Sequence, residues 1–209
     1  MNSSVFWYDG HMSKQILLDG VQKQFSIGDL PMLIHAKEGS GGSLFSVSLI
    51  ADLYHEGAKI LFLSGYHMAR DEFQVQTSSA GDSILVDDES QLKEAHSKRV
   101  IFVGKEAPEL FIQLVKSLPD IDERVIFFKN FELFDASIFE TVQDLQHLIL
   151  MGDVDTASNS DQLLLKSWTS CVYFSEPTSH QLDFTLPSLD QYQGYLHSKS
   201  GAGFLTLSV

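Results

Sequence analysis

Positive charge is scarce in this sequence, since 14 lysines and arginines face 28 aspartates and glutamates, for a formal net charge of −14. A surface that binds nucleic acid needs clustered lysine and arginine to displace counterions from phosphates. Direct nucleic-acid binding is therefore not expected. The deficit extends to the end of the chain, because Lys166 and Lys199 are the only bases after residue 130. An acidic balance is typical of a well-solvated surface, and it also suits a module that binds a basic partner.

Cysteine and long hydrophobic runs are scarce as well. The single cysteine, Cys171, excludes an internal disulfide, and its apolar neighbours favour a buried thiol in a reducing compartment. No run approaches the roughly 18 apolar residues that indicate a membrane-spanning helix. The first residues lack the features of a signal peptide. We expect a cytoplasmic protein without a membrane segment. The cysteine and the 8 histidines show no metal-ligand spacing, so no metal site is predicted.

Apolar material is abundant: hydrophobic residues make up 44% of the 209 residues, enough for the core of one domain. Short apolar runs alternate with segments of helical period, which predicts an α/β fold with a mainly parallel sheet flanked by helices. The predicted strands are 32–36, 59–64, 83–86, 100–103, 125–128, 148–151 and 171–174. The predicted helices are 43–55, 89–96, 107–118, 136–145 and 162–168.

The two ends of the chain differ from this alternating pattern. Residues 182–186, 193–197 and 204–208 are predicted antiparallel strands, of which the last two form a C-terminal hairpin. Residues 1–25 are predicted to form an N-terminal arm or edge strand. The remaining residues, 26–209, are predicted to form a single domain.

One loop carries chemical information. After the first predicted strand the sequence reads His-Ala-Lys-Glu-Gly-Ser-Gly-Gly-Ser over residues 35–43, and a helix follows at once. The backbone N–H groups of such a loop, together with the helix dipole, can hold an anion such as a phosphate. The candidate phosphate- or nucleotide-binding residues are Lys37, Gly39, Ser40, Gly41, Gly42 and Ser43.

Residues 32–64 resemble the opening of the RecA/RadA/KaiC-type P-loop ATPases. The shared features are an apolar strand, a Gly-Ser-Gly loop, a helix, a Gly-x-Lys turn at residues 57–59 and a strand that ends at Ser64. The residues that match the G-S-G-K-[ST] core of the loop are Gly39, Ser40, Gly41 and Ser43. The order of later elements extends the resemblance over roughly residues 30–208. The resemblance implies a RecA-like P-loop NTPase fold.

Several positions depart from the family pattern, and the resemblance implies lost chemistry at each. The first glycine of the motif is Ala36, and its lysine is Gly42, which cannot neutralise charge on the β- and γ-phosphates. The strand 125–128 is similar to the family's Walker B strand, but Lys129 follows it where an aspartate orients magnesium. A lysine there would repel a divalent cation. KaiC-like proteins follow the second strand with two water-activating glutamates, whereas residues 64–67 here are Ser-Gly-Tyr-His.

Two lysines match other family positions in part. ParA/MinD-like ATPases carry a lysine at the loop position of Lys37, and it reaches a neighbouring subunit's nucleotide. The alternative is a solvated loop lysine. RecA/KaiC-like proteins often carry Lys-x-Arg on a late hairpin, where it acts on the next subunit. Lys199 is the possible trans contact here, although no arginine follows Arg124 and a polar hairpin residue is the alternative.

Three further side chains are candidates near the same sheet edge. His35 is close enough in sequence to contact an anion in the loop, or its ring is satisfied by backbone. Asp153 and Asp155 follow a predicted strand, where α/β sites assemble, or they serve a turn. No catalytic residue is assigned from this set.

These features predict a catalytically inactive RecA-like protein, a pseudo-ATPase. It would act as a structural or assembly subunit through side-to-side oligomerisation or through a protein partner. Residues 32–64 also resemble the Elongator accessory subunits, RecA-like proteins without working Walker motifs that form a hexameric ring. The alternative is an atypical nucleotide-binding protein with weak or partner-dependent ATPase activity. No cofactor is predicted, and binding of ATP and magnesium belongs to the alternative only.

Overall fold

The computed structural model describes residues 15–64, 81–104, 106–156, 167–178, 182 and 184–207. Within these residues the strands form an 11-stranded sheet. The strands are β1 Ile16–Leu18, β2 Val21–Gln22, β3 Met32–His35, β4 Ile60–Ser64, β5 Ser83–Val86, β6 Val100–Val103, β7 Val125–Lys129, β8 Leu148–Gly152, β9 Ser170–Tyr173, β10 Gly194–Ser198 and β11 Gly201–Leu207. The helices are α1 Gly42–His55, α2 Leu92–Ala95, α3 Pro108–Ser117 and α4 Ala136–Val142.

The sheet joins a parallel part to an antiparallel part. Its strand order is β2-β1-β11-β10-β9-β3-β8-β7-β4-β6-β5. From β9 to β5 all neighbouring strands run parallel. From β2 to β9 all neighbouring strands run antiparallel, and β10 and β11 form the hairpin. The predicted fold class, a mainly parallel α/β sheet with a C-terminal antiparallel hairpin, is confirmed.

The central strands are apolar on both faces because each face is covered. Side chains alternate across a strand, so Phe127 and Phe128 of β7 point into two different hydrophobic clusters. On one face, Phe45 of α1 packs in the same cluster as Phe127. On the other face, Phe111 of α3 and Val142 of α4 pack with Phe128. The packing of Phe45 in the cluster of Phe127 holds α1, and therefore the loop that precedes it, against one face of the sheet.

Helix starts follow local chemistry. Pro108 opens α3, where the missing N–H has no intrahelical role. The Asp135 carboxylate accepts a hydrogen bond of 2.9 Å from the Ser137 N–H and caps α4. At α1 the N-cap is Gly41 in the left-handed region, with no side-chain cap. No helix among the described residues is both long and apolar enough to cross a membrane.

A few predicted elements differ from the structure. The predicted helix 89–96 is a 3₁₀ turn over 89–91 followed by α2, because the Asp88 carboxylate and the Gln91 amide oxygen close a tight turn on the backbone. The predicted strand 182–186 is wrong: residues 184–186 lie outside the sheet, and the Phe184 ring packs on other side chains. The predicted helix 162–168 lies mostly outside the described residues.

The N-terminal residues that the structure describes belong to the same sheet as the rest. β1 pairs with β11, and β2 pairs with β1 at the sheet edge. The division into an arm over 1–25 and a domain over 26–209 stays a prediction, since residues 1–14 lie outside the described part.

Candidate functional site

The glycine-rich loop leaves the sheet at the carboxyl edge of its parallel strands. Residues 36–41 join the end of β3 to the start of α1. β3 lies between β8 and β9, and all three run parallel, so the loops that follow them meet above the same edge. The site is therefore built from the ends of β3, β8 and β9 and the first turn of α1.

Two glycines give the loop its shape. Gly39 and Gly41 have φ angles of +78° and +100°, in the left-handed region that other residues rarely adopt. Between them, Ser40 donates both its N–H (3.1 Å) and its hydroxyl (2.7 Å) to the Lys37 carbonyl. A Cβ added at Gly41 would lie 3.2 Å from the Cα atom of Tyr192. The segment that carries Tyr192 thus packs directly against the loop.

Gly42, where P-loop enzymes carry their lysine, has no space for a side chain. A Cβ at this position would lie 2.5 Å from the Cβ of Ala36 and 2.7 Å from the Cε of Met151. Non-bonded carbons prefer about 3.5–4.0 Å. The Met151 thioether can swing away, because its side chain is flexible. The Ala36 methyl is attached directly to the loop backbone, so the two departures from the motif, Ala36 and Gly42, are in physical contact.

In the rest of the loop, the groups available to an anion are backbone N–H groups and one hydroxyl, that of Ser43. Gly42 and Ser43 are the first two residues of α1, where no intrahelical carbonyl lies upstream of the amides. The Ser43 side chain is exposed. The predicted residues from Gly39 to Ser43 therefore form one continuous strip, but their role in phosphate binding stays a prediction.

Lys37 is held by a carboxylate of its own chain. Its Nζ lies 3.0 Å from Oδ2 of Asp155, with side-chain exposures of 39% and 10%. Asp155 is itself fixed by Thr178, which donates its N–H (2.8 Å to Oδ1) and its hydroxyl (2.9 Å to Oδ2). An ion pair thus joins the loop after β3 to the loops after β8 and β9.

His35 is fully buried at the end of β3. Its Nδ1 accepts a hydrogen bond of 3.3 Å from the Val154 N–H, and its Nε2 lies 3.1 Å from the Ser175 hydroxyl. Asp153 lies 3.9 Å from Nδ1. One potential ligand atom each from His35, Asp153 and Asp155 lie within 4.8 Å of one another. A metal ion there would compete with the Val154 amide for Nδ1 of His35 and with the Lys37 ammonium for Asp155.

Lys129 occupies the end of the strand that the resemblance compares with Walker B. Its backbone lies in register with Ser64 of β4 and Met151 of β8, and its side chain is buried. β8 separates β7 from β3. Alternation along β7 places Lys129 on the face of Phe127 and α1, the side on which the loop lies. Residues 65–67, the other predicted departure, lie outside the described part.

Two oxygen atoms beside Lys129 are buried without a hydrogen bond among the described residues: Oδ1 of Asn130 and Oε2 of Glu132. Asn130 adopts the left-handed region, with φ of +56°. Burial raises the pKa of the Glu132 carboxyl above its ordinary value, and the nearby Asp153 carboxylate adds to the rise. Hydrogen bonds from Asn130 and the backbone offset part of this effect. Glu132 is therefore a buried carboxyl next to the loop after β8, and its ionised form is disfavoured.

Lys199 lies at the opposite edge of the sheet. β10 runs antiparallel to β9, and its end at Ser198 is in register with Ser170, the first residue of β9. The Lys199 N–H is 3.4 Å from the carbonyl of Thr169. Lys199 is thus remote from the loop of its own subunit, and a contact with a neighbouring subunit stays a prediction.

No protein-family model and no curated protein matches this sequence. A search of solved structures does find chains with similar backbone structure. The genome packaging NTPase B204 from Sulfolobus turreted icosahedral virus 2, in complex with AMPPCP, is 11% identical, with 85% of this chain and 97% of that chain covered and a TM-score of 0.48.

Two further solved structures are similar to a comparable degree. The flagellar accessory protein FlaH from Methanocaldococcus jannaschii is 12% identical, with 80% and 76% of the two chains covered and a TM-score of 0.45. ATPases 2 and 3 of EssC from Geobacillus thermodenitrificans are 11% identical, with 84% of this chain and 36% of that chain covered and a TM-score of 0.49. Each TM-score is below 0.5, so these similarities decide neither the fold family nor the activity, and the RecA-like P-loop fold stays an expectation from the resemblance.

The partners of the loop were not predicted from the sequence. His35 was one candidate and the pair Asp153 and Asp155 was another, but only the pairing of β3 with β8 brings the three together. Met151 and Tyr192 gave no signal, because their contacts with the loop depend on the sheet order and on an irregular segment. The charge on Lys37 was visible, whereas its partner lies more than a hundred positions later in the chain.

Proposed function

We propose that this protein is a RecA-like pseudo-ATPase that acts as an assembly subunit, through side-to-side contact with like subunits or with a protein partner. The observation that carries the proposal is the contact between Ala36 and the vacant side-chain position of Gly42. A motif that had lost only its lysine would still have the space for it. Here the neighbouring methyl fills that space, so the loop is shaped for glycine.

Charge placement supports the same proposal. Lys129 stands where the resemblance expects the carboxylate that orients magnesium, and Lys37 is already paired with Asp155. Neither Lys37 nor Lys129 is therefore arranged to bind phosphate, together with a metal ion, in place of the P-loop lysine that Gly42 lacks. A fold that keeps its sheet, its loop and its first helix without this chemistry is suited to binding other proteins.

The test combines ATP binding with the measurement of mass. We expect calorimetry with ATP and magnesium to give millimolar or no binding, and light scattering to give a defined oligomer or a defined complex with a partner. Hydrolysis of ATP by the purified chain, or a strict monomer that associates with no partner, would contradict the proposal.

The second candidate function, atypical nucleotide binding, is favoured by the left-handed turn at Gly39 and Gly41 and by the exposed Ser43. It predicts micromolar ATP binding that Gly41→Val abolishes, because the variant cannot adopt φ of +100° without strain and meets Tyr192. Leu44→Ala, a change at an exposed position of α1, serves as the control and should leave such binding intact.

A further inference from the structure

We infer that Asp155 is an internal anion that occupies Lys37 and keeps phosphate-bearing ligands off the glycine-rich loop. This inference rests on the proposed loss of ATPase function, and it names what stands in the place of a ligand's charge. Lys37 is the only base between residues 36 and 43. Any oxyanion that enters the loop must therefore compete with the Asp155 carboxylate, which lies 3.0 Å from the Lys37 Nζ.

The carboxylate competes well because it is held in place. Thr178 donates to both of its oxygens, from the backbone N–H and from the side-chain hydroxyl. The Asp155 side chain is also only 10% exposed, so solvent screens the pair less than it screens a surface ion pair. Because Asp155 is already held in place, it pairs with Lys37 without the entropic cost that a mobile anion would have to meet.

The carboxylate that pairs with Lys37 is not one of its neighbours in the sequence. Glu38 follows Lys37 directly but belongs to the turn, and Asp153 lies beside His35 and accepts the Asp155 N–H at 3.0 Å. Among the described residues the ion pair of Lys37 is with Asp155. Removal of that single charge therefore leaves the loop with an ammonium group, the amides of Gly42 and Ser43 and the dipole of α1, which together favour an anion.

The test is titration with pyrophosphate, without magnesium and at low salt, by calorimetry. Wild type is compared with Asp155→Asn, which removes the charge and keeps an oxygen for the Thr178 N–H. We expect Asp155→Asn to bind pyrophosphate at least tenfold more tightly than wild type. The double variant Lys37→Gln with Asp155→Asn should return to the wild-type affinity, because the gain depends on Lys37.

Thr178→Val is the matched control, since it removes one hydrogen bond to Asp155 but keeps the carboxylate and its ion pair. It should bind pyrophosphate much more weakly than Asp155→Asn. If Asp155→Asn does not fold, Asp155→Ser takes its place, with the same expectations. Equal affinity of wild type and the Asp155 variants, or a gain that survives Lys37→Gln, would overturn the inference. ATP hydrolysis by wild type would instead refute the proposed function and leave this comparison valid.

Discussion

Ala36 and Gly42 occupy two positions of one motif, and the space between them admits one side-chain carbon but not two. Each departure is visible in the sequence by itself. Their contact is not, because it depends on how the loop folds back onto the start of α1. The structure therefore shows that the two departures from the motif depend on each other. This dependence can be measured as a coupling between substitutions at the two positions.

Gly42→Lys should lower the free energy of unfolding by about 1–3 kcal/mol, because the new Cβ overlaps the Ala36 methyl. Addition of Ala36→Gly should recover part of this loss. We expect a coupling energy of about 0.5–3 kcal/mol between the two changes, measured by urea unfolding of wild type, both single variants and the double variant.

Ser43→Lys provides the control, since it adds the same charge one residue later at an exposed position. Its effect on the free energy of unfolding should be additive with that of Ala36→Gly, because a side chain at the exposed position 43 extends into solvent and not against the Ala36 methyl. Additive effects for Gly42→Lys and Ala36→Gly would show that the loop does not depend on the contact.

Glu132→Gln should stabilise the protein at about pH 7. The folded pKa of Glu132 is raised above its ordinary value of 4.5, so the folded state binds the proton more tightly than the unfolded state. The free energy of unfolding then falls as pH rises from about the unfolded pKa through the raised folded pKa. The gain from Glu132→Gln should therefore be largest above this window and vanish below it.

Chemical unfolding of both proteins over a series of pH values measures this difference. Glu123→Gln removes a carboxylate at an exposed position and controls for the change in net charge. A stabilisation by Glu132→Gln that is equal at all pH values would contradict ionisation as its cause.

At the scale of secondary structure, the sequence predicted the parallel strands well because burial on both faces leaves uninterrupted apolar runs. β5 and β6 begin and end at the predicted residues, 83–86 and 100–103. The prediction failed for 182–186. The apolar Phe184 there packs its ring against Tyr173 and His197, and it does not belong to a strand. The candidate loop was predicted because it is continuous in sequence, whereas its partners were not because they come from other strands.

A buried arginine connects the starts of several strands. Arg124, just before β7, donates to the Asp120 carboxylate (2.8 Å) and to the carbonyls of Lys98 (3.0 Å) and Arg99 (3.2 Å), which precede β6. The Lys59 ammonium, just before β4, also binds Asp120. The network thus fixes the amino edge of the parallel sheet, opposite the glycine-rich loop.

Arg124→Met should lower the free energy of unfolding by about 3–5 kcal/mol, because it leaves buried acceptors without their donor. Lys98→Met, which breaks the ion pair with the exposed Glu94, should cost less than about 1 kcal/mol. Thermal and urea unfolding measure both. Equal effects would show that the buried network is no stronger than a surface pair.

The same network predicts a loss of stability in acid. Burial raises the pKa of Asp120, but the hydrogen bonds from Arg124 and Lys59 outweigh it and hold the pKa below its ordinary value of 3.8. This contribution is complete above the unfolded pKa and is lost as pH falls through the folded pKa. The destabilisation by Asp120→Asn should accordingly shrink in that acidic range, and a constant difference would contradict it.

At the scale of the whole molecule, the net charge of −14 opposes contact between identical copies. If the proposed assembly joins like subunits, added salt should strengthen it by screening their repulsion. Sedimentation at about 50 mM and about 500 mM sodium chloride measures this, and the mass should rise with salt. A mass that falls with salt would contradict this expectation and indicate that the copies contact each other through ion pairs despite their net charge.

The pairing of β1 with β11 places one of the earliest described strands beside the last one, with Ile16 in register with Leu207. β3 likewise pairs only with β8 and β9 among the described strands. Contacts between distant parts of a chain slow folding, because the loop between them must close first. During synthesis the early strands therefore leave the ribosome long before their partners exist. The edges that β1 and β3 present to these later strands therefore stay unpaired until residues 148–207 have been made, and unpaired strand edges favour aggregation.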